Sequence, residues 1–397
     1  MHWSPLVHTG LHFSPLGVRW SPLVHTDTSQ NHSEIMKRVF LILLGTILAF
    51  ALSAQPLRVG VAGVTHDHLG GVVSALQGGD VEVVGVWEAD ARYIHNNALS
   101  GKVPDALFYS QLEKMLDETR PEAVVAYGSI KDHLAVVEAC APRGIHVMVE
   151  KPLGATLKDA RKMAALARKY GILLLTNYET TWYASNTYVR QQVKEGKLGK
   201  LFRIDVYDGH ESPAEIGCSR KFLNWLTDPV LNGGGAVIDF GCYGANLATW
   251  LLEGKAPRKV FAVLRQNKPS VYPKVDDDAQ IMLQYEDVTV NIGASWCWPT
   301  GRKDMYVYGL GGYLYQRTPE KVSGLRDGSF IPEFSAPALP APYDNSFRYL
   351  KAAVRGEITV GPEDLSSLEN NLTVMRILDA AIRSARTGKA ITLQTQL

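Results

Sequence analysis

Cysteine is scarce in this chain, and the few cysteines that it has lie far apart. The 397 residues contain four of them, Cys140, Cys218, Cys242 and Cys297, and no Cys-x-x-Cys pair or Cys/His cluster occurs. This spacing supports neither a structural zinc site nor a disulfide framework. An excess of charge of one sign is also missing, since the net charge is +1. The sequence therefore indicates no nucleic-acid partner and no anionic membrane surface.

A long apolar run of the kind that crosses a bilayer is absent too, although a shorter one stands near the start. Residues 39–52 are apolar, follow a Lys-Arg pair and end at Ser53-Ala54. This order predicts a secretory signal peptide at 36–54, hence a periplasmic or secreted protein with no stable membrane span after cleavage. A helix that tethers the chain to the membrane is the alternative. We interpret 1–35, where Trp-Ser-Pro-Leu-Val-His-Thr occurs twice, as a disordered or mis-assigned leader.

The chain opens with a β-α-β pattern after residue 55. An apolar strand at 57–62 runs into glycine, a helical segment follows at 69–76, and a second strand at 81–87 ends on Glu88. Dinucleotide-binding folds have this order, with glycine near the pyrophosphate and an acidic residue at the ribose. Glu88 would also repel a 2′-phosphate, which favours NAD over NADP. The loop candidates for cofactor contact are Gly60, Gly63, Val64, Thr65 and His66.

The loop after the first strand departs from the Gly-x-Gly-x-x-Gly pattern. Counted from Gly63, Thr65 stands at the second glycine and His68 at the third. His66 and His68, with Asp67 between them, raise the alternative of a metal site. Because no further cluster of His, Cys or carboxylates is evident in the sequence, we prefer hydrogen bonding within the loop and expect no metal.

The following units continue the alternation and end on an informative tripeptide. A strand at 123–129 and a helix from His133 precede a strand at 144–149, which delivers Glu150, Lys151 and a proline. The carboxyl ends of strands line the ligand crevice of open α/β sheets, and proline restricts the residue before it. Lys151 would therefore point into a cleft; the alternative is a solvated Glu-Lys pair. Ser129, His133, Glu150 and Lys151 complete the predicted cofactor contacts.

Near-continuous apolar strands that alternate with helices are typical of a doubly wound parallel sheet. We predict an α/β protein with a Rossmann domain at 55–178 and an α+β domain for substrate binding and oligomerisation at 179–397. Short turns between the later strands favour a large, mostly antiparallel open sheet. Residues 316–345, rich in Pro, Ser and charge, are predicted to be a loop, and 364–385 a long amphipathic helix.

A polar face occurs in an otherwise apolar stretch of the second domain. After three glycines at 233–235, Asp239, Tyr243 and Asn246 recur at i, i+4 and i+7, which is the spacing of one helix face. Small residues around them would let a ligand approach closely. The alternative is a helix that only hydrogen-bonds to the sheet.

These motifs together resemble the Gfo/Idh/MocA family of oxidoreductases (glucose–fructose oxidoreductase and inositol dehydrogenase), over about residues 56 to 390. The resemblance implies a Rossmann domain with a bound nicotinamide cofactor, sugar or polyol substrates, and an open sheet that forms a homodimer or homotetramer. By position, Lys151 would hydrogen-bond the reacting oxygen beside the nicotinamide. Tyr243 stands where many members have histidine, which resembles the tyrosine-containing branch. Asn246 replaces a frequent aspartate.

The chemistry expected of these residues is hydride transfer coupled to proton removal. Hydride leaves a carbinol carbon for C4 of the nicotinamide, and the hydroxyl proton needs a base. The ordinary pKa of tyrosine is about 10, and Lys151 with the cationic nicotinamide would lower the pKa of Tyr243 toward a useful range. Asp239 would orient Lys151 or bind a substrate hydroxyl. The substrate candidates are Tyr183, Trp182 and Asn246, with Asn224 and Trp225 as further pocket residues.

Three functions fit the sequence. The leading hypothesis is an exported NAD(P)-dependent oxidoreductase that acts on a CH–OH group of a sugar or polyol. Because the periplasm holds no large pool of free nicotinamide nucleotide, the second is redox-neutral glycoside cleavage or epimerisation by a bound, transiently reduced NAD. The irregular loop from Gly63 to His68 motivates the third, a non-catalytic sugar-binding protein on the same scaffold.

Overall fold

The computed structural model describes residues 36–40 and 55–393. Contacts divide the chain into two units, Met1–Gln55 and Pro56–Leu397. Residues 36–40 are helical (α1). The predicted leader at 1–35 and residues 41–54 of the predicted signal peptide lie outside the described residues. None of the helices in the described part of the chain is both long enough and apolar enough to cross a bilayer.

The first sheet has six parallel strands with helices between them. The strands are β1 (Leu57–Ala62), β2 (Val81–Trp87), β3 (Phe108–Tyr109), β4 (Ala123–Ala126), β5 (His146–Glu150) and β6 (Leu174–Asn177). The helices are α2 (Gly70–Gly78), α3 (Ala91–Ile94), α4 (Leu112–Thr119), α5 (His133–Cys140) and α6 (Leu157–Tyr170). The spatial order β3-β2-β1-β4-β5-β6 reverses between β1 and β4, so the predicted doubly wound sheet is confirmed and its ligand crevice lies at that point.

Local sequence signals explain the ends of α6, the helix that follows Lys151. Its first turn is capped by Thr156, whose hydroxyl accepts a hydrogen bond from the Asp159 amide at 3.0 Å. The helix ends at Gly171, which adopts a left-handed conformation with a φ of 66°. Only glycine takes that conformation without a steric cost, so the residue after the helix is fixed by its backbone.

The second sheet has nine strands. They are β7 (Leu201–Gly209), β8 (Lys259–Arg265), β9 (Asp278–Gln284), β10 (Thr289–Ser295), β11 (Arg302–Gly309), β12 (Gly312–Gln316), β13 (Lys321–Arg326), β14 (Ser329–Ser335) and β15 (Ile391–Thr392). Their order is β14-β13-β12-β11-β7-β10-β9-β8-β15, and β7 pairs with β10 in parallel while the other neighbours are antiparallel. The predicted large, mostly antiparallel sheet is confirmed.

Helices cover one face of the second sheet. The helices of this half are α7 (Ala184–Lys194), α8 (Arg220–Leu226), α9 (Ala236–Asp239), α10 (Gly241–Leu251), α11 (Ser346–Val354) and α12 (Leu368–Thr387). Every residue of α10 is buried, and the side chains of Ile204 and Val206 on β7 belong to the same core. On other strand positions Phe202, Phe261 and Met282 remain exposed. The alternation of β7 thus separates an inward face from an outward face.

The predicted loop at 316–345 is wrong, because β13 and β14 form a hairpin there. Its turn contains Asp327 and Gly328, with φ angles of 49° and 76°, and two successive positive φ angles are typical of the tight turn that matches strand twist. β14 is largely exposed, while Val322 of β13 is buried in the core, and the polar residues among them hid the strand pattern. The long helix is confirmed, but α12 begins at Leu368, because Ser367 caps it by accepting from the Asn370 amide.

The chain returns to the first sheet late in the sequence. Phe347, Tyr349 and Leu350 of α11 are buried in one cluster with Val59 and Val61 of β1. A residue range that the sequence assigns to the second domain therefore completes the core of the first.

Candidate active site

The residue after β5 and the last residue of α9 form a buried ion pair. Lys151 follows β5, and its ammonium donates to the Asp239 carbonyl at 3.0 Å and to the carboxylate of the same residue. Trp296 donates to the other carboxylate oxygen at 2.8 Å. Burial lowers the pKa of Lys151, but the charge of Asp239 outweighs burial, so the pKa lies above its ordinary value. Burial raises the pKa of Asp239, but the charge of Lys151 outweighs burial, so that pKa lies below its ordinary value. Both groups are therefore charged at neutral pH.

Tyr243 lies directly beside this pair. The ammonium nitrogen of Lys151 is 5.2 Å from the centroid of the tyrosine ring, so the structure brings together the three residues predicted to be catalytic. The decrease in the pKa of Tyr243 that was expected beside the cationic nicotinamide stays a prediction. Burial raises the pKa of Tyr243 well above its ordinary value, and the charge of Glu179 adds to the increase.

The continuous helix expected from Asp239 to Asn246 is interrupted. Asp239 ends α9, Phe240 stands between the helices, and the Tyr243 amide donates to the Phe240 carbonyl at 3.1 Å. The Asp239 carbonyl instead accepts from the Lys151 ammonium. The tertiary contact thus takes the carbonyl that a continuous helix would use for Tyr243.

Asn246, a substrate candidate, is fully buried in the packing of α10. Its amide donates to the Leu365 carbonyl at 2.8 Å and to the Asn371 side chain at 3.4 Å. These bonds connect α10 with α12 and give Asn246 a structural role. A contact between Asn246 and substrate stays a prediction.

A second polar group that the sequence did not reveal adjoins Tyr243. Glu179 follows β6 and forms an ion pair with Lys303 of β11, whose ammonium is 5.3 Å from the centroid of the Tyr243 ring. The hydroxyl of Tyr183 donates to Glu179 at 2.6 Å. Trp182 donates to Asn177 at 3.2 Å. Of the substrate candidates, Tyr183 therefore joins this group directly.

Asp208 completes this group from the inward face of β7. It lies opposite Lys303 in the pairing of β7 with β11, its side chain is fully buried, and neither carboxylate oxygen has a hydrogen-bond partner among the described residues. Burial raises the pKa of Asp208 well above its ordinary value; Lys303 opposes the increase, and Asp304 and Glu179 add to it. The sequence does contain a signal for Asp208, because it stands at every second position of β7 with Ile204 and Val206 and therefore on the same inward face.

The crevice between β1 and β4 fits the adenosine half of a dinucleotide. Gly63 has a φ of 82°, and a Cβ there would lie 2.5 Å from Gly128, so the two strand ends approach as closely as glycine permits. The Glu88 carboxylate accepts from the amides of Val64 at 3.0 Å and Asp90 at 2.9 Å. Each oxygen keeps a free lone pair, enough for two ribose hydroxyls.

The loop after β1 is held by β4. The amides of Thr65 and His66 both donate to the Tyr127 carbonyl, at 3.1 and 2.9 Å. These donors are therefore not directed at a diphosphate in this structure, which distinguishes the loop from a glycine-rich cradle. Gly60 lies inside β1, where its missing side chain makes room for Met115.

The fold brings Glu150 to the two histidines of the loop, a proximity that the sequence did not show. The His68 ring is 2.9 Å from Glu150, the His66 ring is 4.0 Å from it, and the three potential ligand atoms lie within 4.8 Å of one another. Nδ1 of His66 accepts from the His68 amide at 3.1 Å. Burial lowers the pKa of His66 well below its ordinary value, so the ring is neutral and Nε2 carries its proton. At 4.0 Å the His66 ring is too far from Glu150 for a hydrogen bond, whereas the His68 ring at 2.9 Å is within reach of one. The expectation that the loop holds no metal stays a prediction.

Two further cofactor candidates have structural partners. The Ser129 hydroxyl donates to Asp132 at 2.7 Å, in the cap of the turn after β4. The His133 ring is fully buried and contacts the Leu153 carbonyl at 3.2 Å. Their contacts with a cofactor stay predictions.

A segment of the second domain, residues 219–232, reaches across to the β1 and β4 turns. The Ser219 amide donates to the Asp67 carboxylate at 2.8 Å, and the Lys131 amide donates to the Leu231 carbonyl at 2.9 Å. The ring centroid of Trp225 is 5.2 Å from that of His66. This covering segment, which includes Asn224, closes the nucleotide crevice from the side of the second sheet.

Comparison with known proteins agrees with both halves of the fold. Residues 57–178 match a family model described as an oxidoreductase family with an NAD-binding Rossmann fold, and residues 187–315 match the GFO/IDH/MocA C-terminal domain. A mouse trans-1,2-dihydrobenzene-1,2-diol dehydrogenase is 26% identical over 58% of this chain and 65% of its own length. An Escherichia coli D-glucoside 3-dehydrogenase is 28% identical over 53% of this chain and 58% of its own length. The match thus spans less than two thirds of these relatives.

The fold recurs in solved structures across the whole second unit. An inositol dehydrogenase homolog from Azotobacter vinelandii, solved with NAD+, superimposes with a TM-score of 0.75 at 16% identity and covers 86% of this chain and 98% of that one. The two family models and the paired sheets lead to one conclusion. This chain belongs to the Gfo/Idh/MocA family of oxidoreductases.

Proposed function

We propose that the protein is an NAD-dependent oxidoreductase that transfers hydride between a bound nicotinamide and a carbinol of a sugar or polyol. The observation that carries the proposal is the meeting of Lys151, which follows β5, and Tyr243 of α10, with 5.2 Å between the ammonium nitrogen and the ring centroid. The relatives support the substrate class, since their names refer to a diol and a glucoside.

The side chains of this site have distinct tasks in the proposed reaction. The bound nicotinamide supplies the hydride acceptor or donor. Lys151 stays protonated because Asp239 raises its pKa, so it donates a hydrogen bond to the reacting oxygen. Burial raises the pKa of Tyr243, so it is a neutral phenol that gives its proton to the reacting oxygen as hydride adds to the carbon of a carbonyl. In the oxidation direction hydride leaves the carbinol carbon and the hydroxyl proton passes to the Tyr243 phenolate. Asp239 fixes the position of the ammonium.

The experiment is the substitution Lys151→Met, assayed with NAD and a panel of sugars and polyols. Removing a single preorganised donor from a reacting oxygen lowers kcat by about 10²–10³-fold. We expect that loss while mass spectrometry of the native protein still detects bound nucleotide. The control is Lys200→Met, which removes an exposed ammonium paired with Asp287 at 2.8 Å outside the site. A Lys151→Met variant with the activity of the control would refute the proposal.

NAD rather than NADP is the cofactor that Glu88 favours. Its carboxylate is 8% exposed and already holds the amides of Val64 and Asp90, so it has no room to turn away from a 2′-phosphate. A phosphate beside a fixed carboxylate is repelled.

A redox-neutral reaction is the second candidate, and the covering segment favours it. Residues 219–232 contact the loop after β1 through Ser219 and Trp225, so release of a bound dinucleotide requires these contacts to open. A retained NAD that is reduced and reoxidised within one turnover suits glycoside cleavage or epimerisation. Release of p-nitrophenol from p-nitrophenyl glycosides without an added electron acceptor would support this candidate, and strict dependence on added NAD would refute it.

Export and self-association complete the proposal. The basic pair and apolar residues from Lys37 to Leu52 support a periplasmic or secreted protein. A homodimer or homotetramer would cover the outward face of the second sheet, where Phe261 and Met282 pair across β8 and β9 and are 40% and 49% exposed.

A further inference from the structure

Asp208 is a buried carboxyl group without a hydrogen-bond partner among the described residues. The described residues offer neither of its oxygens a hydrogen bond, and its side chain has no exposed surface. Buried polar groups in native proteins nearly always have partners, so each exception calls for an explanation. The neighbouring Asp205, three positions earlier on the same strand, shows the ordinary case, since it accepts from Arg203 at 2.8 Å and from Asn291 at 2.7 Å.

Its position explains the missing partner. Asp208 lies opposite Lys303, and the Lys303 ammonium approaches the Tyr243 ring and pairs with Glu179 instead of Asp208. The Glu179 side chain is 49% exposed, so this group extends from solvent at Glu179 to the enclosed Asp208. The unpartnered carboxyl is thus the inner end of a polar group that adjoins Tyr243.

We propose that Asp208 binds a second hydroxyl of the substrate, on a carbon other than the one that exchanges hydride. A hydroxyl both donates and accepts, so one hydroxyl can accept from the carboxylic acid and donate to its other oxygen. The raised pKa of Asp208 agrees with this neutral, donating form. The identity of the ligand rests on the proposed function, since the first hydroxyl is the one held by Lys151.

The charges around the site favour an uncharged substrate. Both ammonium groups are already paired, Lys151 with Asp239 and Lys303 with Glu179. Among the described side chains of this site, the charge of each lysine is already balanced by a carboxylate, while Glu150 adds a further negative charge. The ligand class is therefore a neutral sugar or polyol with at least two free hydroxyls, and a sugar acid is disfavoured.

The experiment compares Asp208→Leu with Asp205→Asn in the full-length chain with NAD. Binding of methyl β-D-glucoside, myo-inositol and D-glucuronate is measured by calorimetry, and oxidation by the absorbance of reduced nicotinamide. Loss of a hydrogen-bonded partner should raise the KM or Kd of the neutral ligands about five- to hundredfold in Asp208→Leu, with a much smaller change in kcat. Asp205→Asn should leave both constants unchanged. Asp208→Asn, which keeps a donor and an acceptor, should restore most of the affinity.

Stability separates this role from a structural one. Because Asp208 has no partner to lose, Asp208→Leu should melt at or above the temperature of the wild type, whereas Asp205→Asn should melt lower. Weaker binding together with undiminished stability supports the proposal. Wild-type binding by Asp208→Leu, or tighter binding of glucuronate than of the neutral ligands, overturns it.

The two proposals fail in different ways. Binding of neutral ligands that depends on Asp208, without any oxidation, retains this inference and removes the oxidoreductase. Oxidation that is indifferent to Asp208 removes this inference alone. If the wild type neither binds nor oxidises any of the neutral ligands, both are overturned.

Discussion

The buried ion pair between Lys151 and Asp239 makes a prediction about stability that is independent of any substrate. Both side chains are 6% exposed, so water screens their interaction little. Removing one partner of such a pair costs about 3–5 kcal/mol, because the other charge is left buried. In Lys151→Met the Asp239 carboxylate keeps the hydrogen bond from Trp296, which places the expected loss at about 3 kcal/mol, the lower end of that range.

The double variant Lys151→Met/Asp239→Asn should recover most of this loss. No charge remains buried in it, and replacing both members of a buried pair by neutral groups of similar volume is often close to neutral. The measurement is the free energy of unfolding in urea at pH 7, followed by tryptophan fluorescence. Lys131→Met serves as the control, because its pair with Asp159 is partly exposed and is worth under about 1 kcal/mol.

The pH dependence of stability tests whether the ion pair of Lys151 and Asp239 stabilises the protein when both groups are charged. The pKa of Asp239 is lowered, so its contribution is present above the ordinary value of 3.8 and is lost as the pH falls through the folded value. The pKa of Lys151 is raised, so its contribution is present below the ordinary value of 10.5 and is lost as the pH rises through the folded value. Equal stability of the single variant and the wild type between these limits, or a double variant less stable than the single one, would refute the reasoning.

Three further predictions concern other parts of the molecule. Burial lowers the pKa of His133 from 6.5 to about 4, so a shift of this size should reduce the free energy of unfolding by about 3 kcal/mol as the pH falls between those values. His133→Asn should reduce that slope in acid unfolding, and an unchanged slope would contradict the burial argument. Glu88→Ser should weaken NAD and strengthen NADP in competition binding, and a fixed preference would show that Glu88 does not face the ribose. Phe261→Lys with Met282→Lys should shift the mass measured by light scattering from oligomer to monomer, and an unchanged mass would place the interface elsewhere.

Several elements of the fold were readable from local sequence. The caps of α6 at Thr156 and Gly171, the apolar strands that end near Gly63 and Lys151, and the parallel order all follow from hydrogen-bonding groups and periodicity within a few residues. The hairpin of β13 and β14 was not readable in this way. β14 is largely exposed, and both strands are defined by pairing, of β13 with β12 and of β14 with β13, which are contacts between segments.

Some residues of the site could likewise be found from sequence motifs, and others only from the structure. Lys151, Asp239 and Tyr243 stood in recognisable motifs, and the fold brought them together. The effect of the protein on the pKa of Tyr243 could not be read from the sequence, because it depends on burial and on Glu179, neither of which is part of the tyrosine motif. Lys303 could not be found at all, since its relation to Tyr243 exists only through the pairing of β11 with β7.

The sequence by itself determined the chain's family, its two kinds of sheet and the residues that carry charge, because each of these depends on composition, spacing and nearest neighbours. Only the tertiary structure decided which charges meet, which carboxyl has a raised pKa and which hydrogen bonds remain unmade. The physical reason is that Coulomb interactions and desolvation depend on distance and burial in space. Asp208 shows this most directly, as an ordinary aspartate in an alternating strand that acquires its properties from the enclosure around it.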